Sequence, residues 1–168
     1  MKNVVAIVQA RMGSTRFPNK VMQPIVGVPM IEVLLDRLSK ANRIDRIVLA
    51  TSTDARNDAL ADHVRRLGHD VYRGSENDVL DRYYHAALNS DASVVIRVTG
   101  DCPLIDPNVV DSVVDALASG NADYASNVCP PTFPDGLDTE AFTFASYLQT
   151  PGAAGLRMLL PPLRAESF

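Results

Sequence analysis

The strongest constraint on this chain is an alternation. Short, continuously apolar runs are followed again and again by longer segments whose apolar residues recur every three to four positions. Asn3–Gln9 is apolar and β-branched without a period of two, as expected of a strand covered on both faces. After a polar loop, Pro29 opens a segment with Ile31, Leu34, Leu35 and Leu38 at helical spacing. Arg46–Thr51 predicts a second strand, and Asn57–Leu67, ended by Gly68, a second helix. Val71–Tyr72 and Asp78–Leu88 predict the next pair. Ser93–Thr99 and a helix begun at Pro107 behind Asp106 as N-cap predict the fourth. Four such units imply an α/β fold of three layers, α/β/α and Rossmann-like, with a mostly parallel sheet between helices. The turn-rich stretch Asn127–Glu140 reads as an ordered loop leading into a strand at Ala141–Phe144, and from Thr150 the pattern stops. The expected organisation is therefore one domain over 1–149 and an irregular tail over 150–168.

In a sheet of this kind ligands bind beyond the carboxyl ends of the strands. That singles out the loops Ala10–Lys20, Thr51–Arg56, Arg73–Asp78 and Gly100–Pro107, with the first and fourth expected to be close in space. Charge is distributed to match. Met1–Met30 holds Lys2, Arg11, Arg16 and Lys20 with no acid, whereas Asp101–Glu140 holds Asp101, Asp106, Asp111, Asp115, Asp123, Asp135, Asp138 and Glu140 with no Lys or Arg. The net charge of −4 gives no support to a protein that coats nucleic acid or a basic protein that lies on a membrane surface, so any anion site is local. Asp111 and Asp115 read most simply as the solvated face of a helix.

Arg11–Lys20 (RMGSTRFPNK) places Gly13, Ser14, Thr15 and three cations directly after the first strand, a composition suited to a triphosphate. Gly13 lets a backbone approach phosphate closely, Ser14 and successive N–H groups can donate, and Arg11, Arg16 and Lys20 can neutralise oxygens. No Gly-Lys-Ser/Thr follows the glycine and no Gly-x-Gly-x-x-Gly is present, which removes the main support for P-loop and dinucleotide-binding readings. Asp101, after the fourth strand, is the metal candidate, because Mg²⁺ is commonly held by one or two carboxylates together with substrate phosphates. Two cysteines, Cys102 and Cys129, are too few for a disulfide framework, and Cys102 reads as a small buried thiol. His63, His69 and His85 lack the spacing of a zinc site. No secretory leader pattern and no apolar run approaching the ~20 residues of a membrane span occur, so a cytoplasmic location is expected.

Four ordered segments carry a family resemblance: Val8–Lys20 (VQARMGSTRFPNK), Arg73–Tyr84 (RGSENDVLDRYY), Arg97–Asp106 (RVTGDCPLID) and Phe133–Glu140 (FPDGLDTE). The chain resembles the cytidylyltransferases that activate sugars as CMP conjugates, the CMP-KDO and CMP-acylneuraminate synthetase group, and most of all their spore coat polysaccharide branch of SpsF type. The resemblance implies a nucleotide-diphosphosugar transferase fold and a Mg²⁺-dependent reaction of CTP with the hydroxyl of an acidic sugar, releasing pyrophosphate, in polysaccharide biosynthesis. It implies catalytic roles for Arg11, Arg16, Lys20 and Asp101, with Asp101 as metal ligand. Nucleotide binding is implied for Ala10, Arg11, Gly13, Ser14, Arg16, Lys20, Arg73, Ser75 and Asp78. Asn127, Asp135, Asp138 and Glu140 fall where the sugar is expected, and Asp138 or Glu140 is the candidate general base.

Family members continue through a segment that supplies a further metal carboxylate and much of a homodimer contact, whereas the recognisable pattern here ends near Phe144. The resemblance therefore implies a C-terminally truncated fold and a weakened dimer. Two other functions stay open on the sequence. A glycosyltransferase of similar fold would need a metal motif of the Asp-x-Asp kind, of which Gly100-Asp101-Cys102-Pro103 has one acid. A nucleotide-binding module without turnover would keep the first loop and lose catalysis.

Overall fold

The computed structural model describes residues 3–13, 17–120 and 122–148. Ser14 and Arg16, and the tail expected over 150–168, lie outside the described residues. The first strand, β1 (Val4–Gln9), leads through a 3₁₀ turn at Lys20–Met22 into a two-stranded hairpin, β2 (Pro24–Ile25) and β3 (Val28–Pro29), and then into helix α1 (Met30–Leu38). Strand β4 (Arg46–Ser52) and helix α2 (Asp58–Arg66) follow, then β5 (Asp70–Gly74), α3 (Val79–Asn89), β6 (Val94–Thr99) and α4 (Pro107–Ser119). The described chain closes with β7 (Tyr124–Ser126), β8 (Glu140–Thr143) and the short helix α5 (Phe144–Leu148).

Six strands form one sheet in the order β5-β4-β1-β6-β8-β7. The pairs β1–β4, β1–β6 and β4–β5 are parallel, while β8 runs antiparallel to β6 and β7. The continuous apolar runs are explained by burial on both sides. Ala6, Val8, Leu49, Ile96 and Val98 face a layer formed by α1, α2 and α4, while Val5, Ile7, Val48, Val95 and Phe142 face Leu80, Tyr83 and Ala87 of α3. These residues are almost wholly removed from water.

The helix layers fix where a ligand can sit. From β1 the chain builds outward through α1 and α2 to β5 on one face, and α3 then carries it back across the other face to β6, on the opposite side of β1. Strand order therefore reverses between β1 and β6, and the crevice beyond their carboxyl ends is the topological switch point.

Capping agrees with the sequence. Asp106 Oδ1 accepts from Asn108 N at 2.8 Å and Asp78 Oδ1 from Asp81 N at 3.0 Å, each satisfying an N–H at the start of a helix. One reading is corrected. Asp111 does not simply face solvent, because its carboxylate accepts the backbone N–H groups of Asn42 and Arg43 at 3.0 and 2.9 Å and pins the turn after α1 to α4. Burial acts to raise its pKa, but those hydrogen bonds and the Arg43 charge hold it below the usual carboxylate range. Among the described residues no helix is long and apolar enough to cross a membrane.

Candidate functional site

The loops after β1 and β6 meet as the alternation predicts, and they meet through backbone. Gly100 N donates to Gln9 O at 2.7 Å, and a Cβ on Gly100 would stand 2.6 Å from Ala10 Cβ and 2.8 Å from Gln9 O. Only glycine fits there. This contact brings Lys20 Nζ to 3.4 Å from Asp101 Oδ2, both side chains roughly half exposed and open to a ligand. Ala10 is buried against the same junction.

A second bracket ties the first loop to the one after β4. Asn57, buried in the turn before α2, accepts from Met12 N at 2.8 Å and donates to Ser52 Oγ at 2.7 Å. Asn19 N in turn donates to Met12 O at 3.2 Å, which folds the loop back on itself. Nothing in the sequence singled out Asn57, since an Asn before a helix reads as a cap. Its role depends on a loop residue more than forty positions earlier.

The third loop joins through Arg11, whose Nη1 lies 3.3 Å from Glu76 Oε1. A methyl placed on Gly13 would sit in ordinary contact with Arg56 Nη1 at 3.7 Å and Glu76 Oε1 at 3.8 Å, so the space over Gly13 is lined by charge. Arg73 donates from Nε to Ser52 O and from Nη2 to Asp54 O, both at 3.0 Å, and its Nη1 is 2.7 Å from Asp58 Oδ1. Its guanidinium thus clasps the β4–α2 loop. Ser75 Oγ accepts from Asp78 N at 3.1 Å and Asp78 caps α3, so these two shape the turn in which Glu76 stands.

The four residues placed near a sugar divide into two kinds. Asn127 is buried, accepting from Thr139 N and donating to Leu137 O, each at 2.8 Å, and so stitches the 133–140 segment together. Glu140 is buried on β8, bonded to Arg97 Nη1 and accepting from Tyr124 Oη at 3.3 Å. Both side chains are turned into the fold. Asp135 is exposed and Asp138 half-buried, on the side of the crevice where Asp101 lies. Burial, with the charges of Asp135, Glu140 and Asp101, pushes the Asp138 carboxyl up, against the opposing pull of Arg97.

The donor set fits a hard cation held partly by a ligand. Asp101 presents a half-exposed carboxylate in a field of further acids that a cation would relieve, yet among the described residues no group of three or more His, Cys, Asp or Glu side chains could hold a metal alone. Cys102 is buried and its thiol pKa is pushed up by burial, which suits the inert role expected of it. A recess of about 330 Å³ lined by Asp45, Arg46, His69 and Asp70 lies at the opposite rim, where β4 and β5 begin, away from these loops.

Comparison with known proteins places this site in context. The family model for cytidylyltransferases matches residues 5–147. The spore coat polysaccharide biosynthesis protein SpsF of Bacillus subtilis is 38% identical over 128 residues, covering 74% of this chain and 53% of that protein. The 3-deoxy-manno-octulosonate cytidylyltransferase of Geobacter sulfurreducens is 34% identical over 122 residues, covering 71% of this chain and 47% of that one. A cytidylyltransferase structure from Leptospira borgpetersenii superposes with a TM-score of 0.85 at 31% identity, covering 95% of this chain and 68% of its own. The chain spans about half the length of the curated relatives it matches.

Proposed function

The chain belongs to the cytidylyltransferase family, and from that premise we propose that it serves transfer of CMP from CTP to a sugar hydroxyl, with release of pyrophosphate. The observation that carries this reading is the meeting of Lys20 and Asp101 across the β1/β6 switch point, with Arg11 on the same loop as Lys20. A cation and a carboxylate side by side at that crevice suit a polyphosphate that arrives with its own divalent ion.

In the proposed reaction the sugar oxygen attacks the α-phosphorus in line, the bond from that phosphorus to the bridging oxygen breaks, and pyrophosphate leaves with the electron pair. Arg11 and Lys20 bind and neutralise the phosphate oxygens, and backbone of the first loop supplies N–H donors. Asp101 would hold Mg²⁺, which when bound supplies Lewis-acid stabilisation of charge on the phosphate oxygens. Asp138 takes the proton of the attacking hydroxyl. Its raised pKa makes it a better base than an ordinary surface carboxylate, whereas Glu140 is already engaged by Arg97. The sugar is an acidic one used in surface polysaccharide synthesis, by analogy with the named relatives, and the reaction is placed in the cytoplasm.

The test is calorimetric titration of CTP, UTP, GTP and ATP with and without Mg²⁺, on the wild type and on Asp101→Asn and Lys20→Ala. Magnesium-dependent preference for CTP, weakened in both variants, is expected. Absence of triphosphate binding would defeat the reading, and tight CTP binding with no pyrophosphate release from any acidic sugar would reduce it to a nucleotide-binding role.

A further inference from the structure

Glu76 is an acid set beside the cations that border the first loop. It stands in the turn between β5 and α3, with Oε1 paired to Arg11 Nη1, while Oε2 is buried and has no hydrogen-bond partner among the described residues. The turn is held rigidly from below. Arg82, almost wholly buried on α3, donates from Nη1 to the carbonyls of Ser75 and Glu76, and its own Nε is buried without a partner among the described residues. From the other side Arg56 is fixed by a fork on Asp54, Nε to Oδ1 at 3.0 Å and Nη2 to Oδ2 at 2.7 Å, which brings Nη1 to the space over Gly13 that Glu76 Oε1 also borders. Arg82 feels the Arg11 charge as well as its own burial, and Arg56 feels Glu76.

Arg11, Arg56 and Arg82 therefore all act on the Glu76 carboxylate, which lies beside Gly13 of the first loop. A buried acceptor with no donor is costly to a fold unless something is gained by it. We propose that Glu76 is the resting counter-ion of the triphosphate site, occupying with Arg11 and Arg56 the anion position that the nucleotide's phosphates take over. This rests on the nucleotide reading above and adds two residues to it. Arg56 becomes a phosphate-binding cation, and Glu76 sets selectivity, because a ligand enters only if its charge outbids the internal carboxylate. A triphosphate does so readily and a single inorganic phosphate does not.

The exchange is tested with inorganic triphosphate and CTP as separate probes, titrated calorimetrically at two salt concentrations. Glu76→Gln keeps shape and removes charge, and is expected to bind inorganic triphosphate about two- to fivefold more tightly than wild type, the factor associated with a half-exposed ion pair that no longer has to break. Arg56→Ala is expected to bind it several-fold more weakly and with less salt dependence. Asp62→Asn, on the outer side of α2, removes one negative charge far from the loop and should leave affinity unchanged. Thermal unfolding confirms that each variant is folded.

Equal or weaker triphosphate binding by Glu76→Gln overturns the proposal. So does a result in which only CTP binding weakens, since Glu76 would then be accepting a hydrogen bond from the nucleoside. Wild-type protein that binds neither probe removes the nucleotide reading itself, a failure distinct from the first two.

Discussion

At the scale of single residues, the buried pair Arg97–Glu140 shows how strand register decides what a motif's side chain touches within the fold. The resemblance placed Glu140 by the sugar, but the antiparallel register of β8 on β6 sets it opposite Arg97 on the face packed by α3. Tyr83, fully buried beside them, has its hydroxyl pushed up to about 12 by burial. Removing one member of such a pair strands the other charge. Glu140→Gln is expected to cost about 3 kcal/mol of stability by urea unfolding, and Arg97→Met in the same chain to recover most of it, because no uncompensated charge then remains. Asp138 behaves oppositely. Its folded pKa is raised, so in the window above the ordinary carboxylate range the folded state binds the proton more tightly than the unfolded chain does, and stability falls as pH rises through that window. Metal-free Asp138→Asn should therefore be more stable than wild type near neutral pH and lose that advantage below the window, as read from urea midpoints across pH.

At the scale of elements, the sequence carried the parallel half of the sheet because each strand there is covered on both sides and must be apolar throughout, while each helix shows a single apolar stripe. The hairpin β2–β3 and strand β7 were not legible. Two- and three-residue strands such as Pro24–Ile25 and Tyr124–Ser126 have no period to detect, and they exist because a neighbouring strand supplies their partners. The site residues divide along the same line. Arg11, Lys20 and Asp101 announce themselves by composition after a strand, whereas Asn57, Arg56 and Glu76 matter only once three loops converge. Gly100 is the point on which that convergence turns. Gly100→Ala must push backbone at Gln9–Ala10 away from β6, because the obstructing atoms are main chain and a short side chain. An overpacking cost of about 1–3 kcal/mol is expected in urea unfolding, together with weaker CTP binding as Lys20 and Asp101 separate. Unchanged affinity in a folded Gly100→Ala protein would show that the β1–β6 junction does not set the site.

At the scale of the whole molecule, net charge opposes the function proposed for one small region of it. The chain carries −4 overall, yet the first thirty residues carry four cations and no acid, and Arg56 of the β4–α2 loop, Arg73 of β5 and Arg82 of α3 add to them. A tetra-anionic ligand is thus repelled at long range and attracted at short range, and these two contributions respond differently to salt. Screening acts on separations beyond about 8 Å at physiological ionic strength, so moderate salt weakens repulsion by acids remote from the crevice, such as Asp111 and Asp115 on α4, more than it weakens the close contacts of Arg11 and Lys20. In the proposed reaction magnesium would do the same work more locally, by lowering the charge of the ligand and meeting Asp101. Binding to the folded state alone raises stability by about 2.7 kcal/mol when the ligand is at a hundred times its dissociation constant. CTP with Mg²⁺ is therefore expected to raise the unfolding midpoint measurably in wild type, and CTP without Mg²⁺ to raise it less. In Asp101→Asn the gap between the two conditions should shrink, since the variant lacks both the repulsion that magnesium relieves and the carboxylate that would hold it. A shift equally large for CTP with and without Mg²⁺ in wild type would mean that the nucleotide is held by the cationic loop alone and that Asp101 has another task.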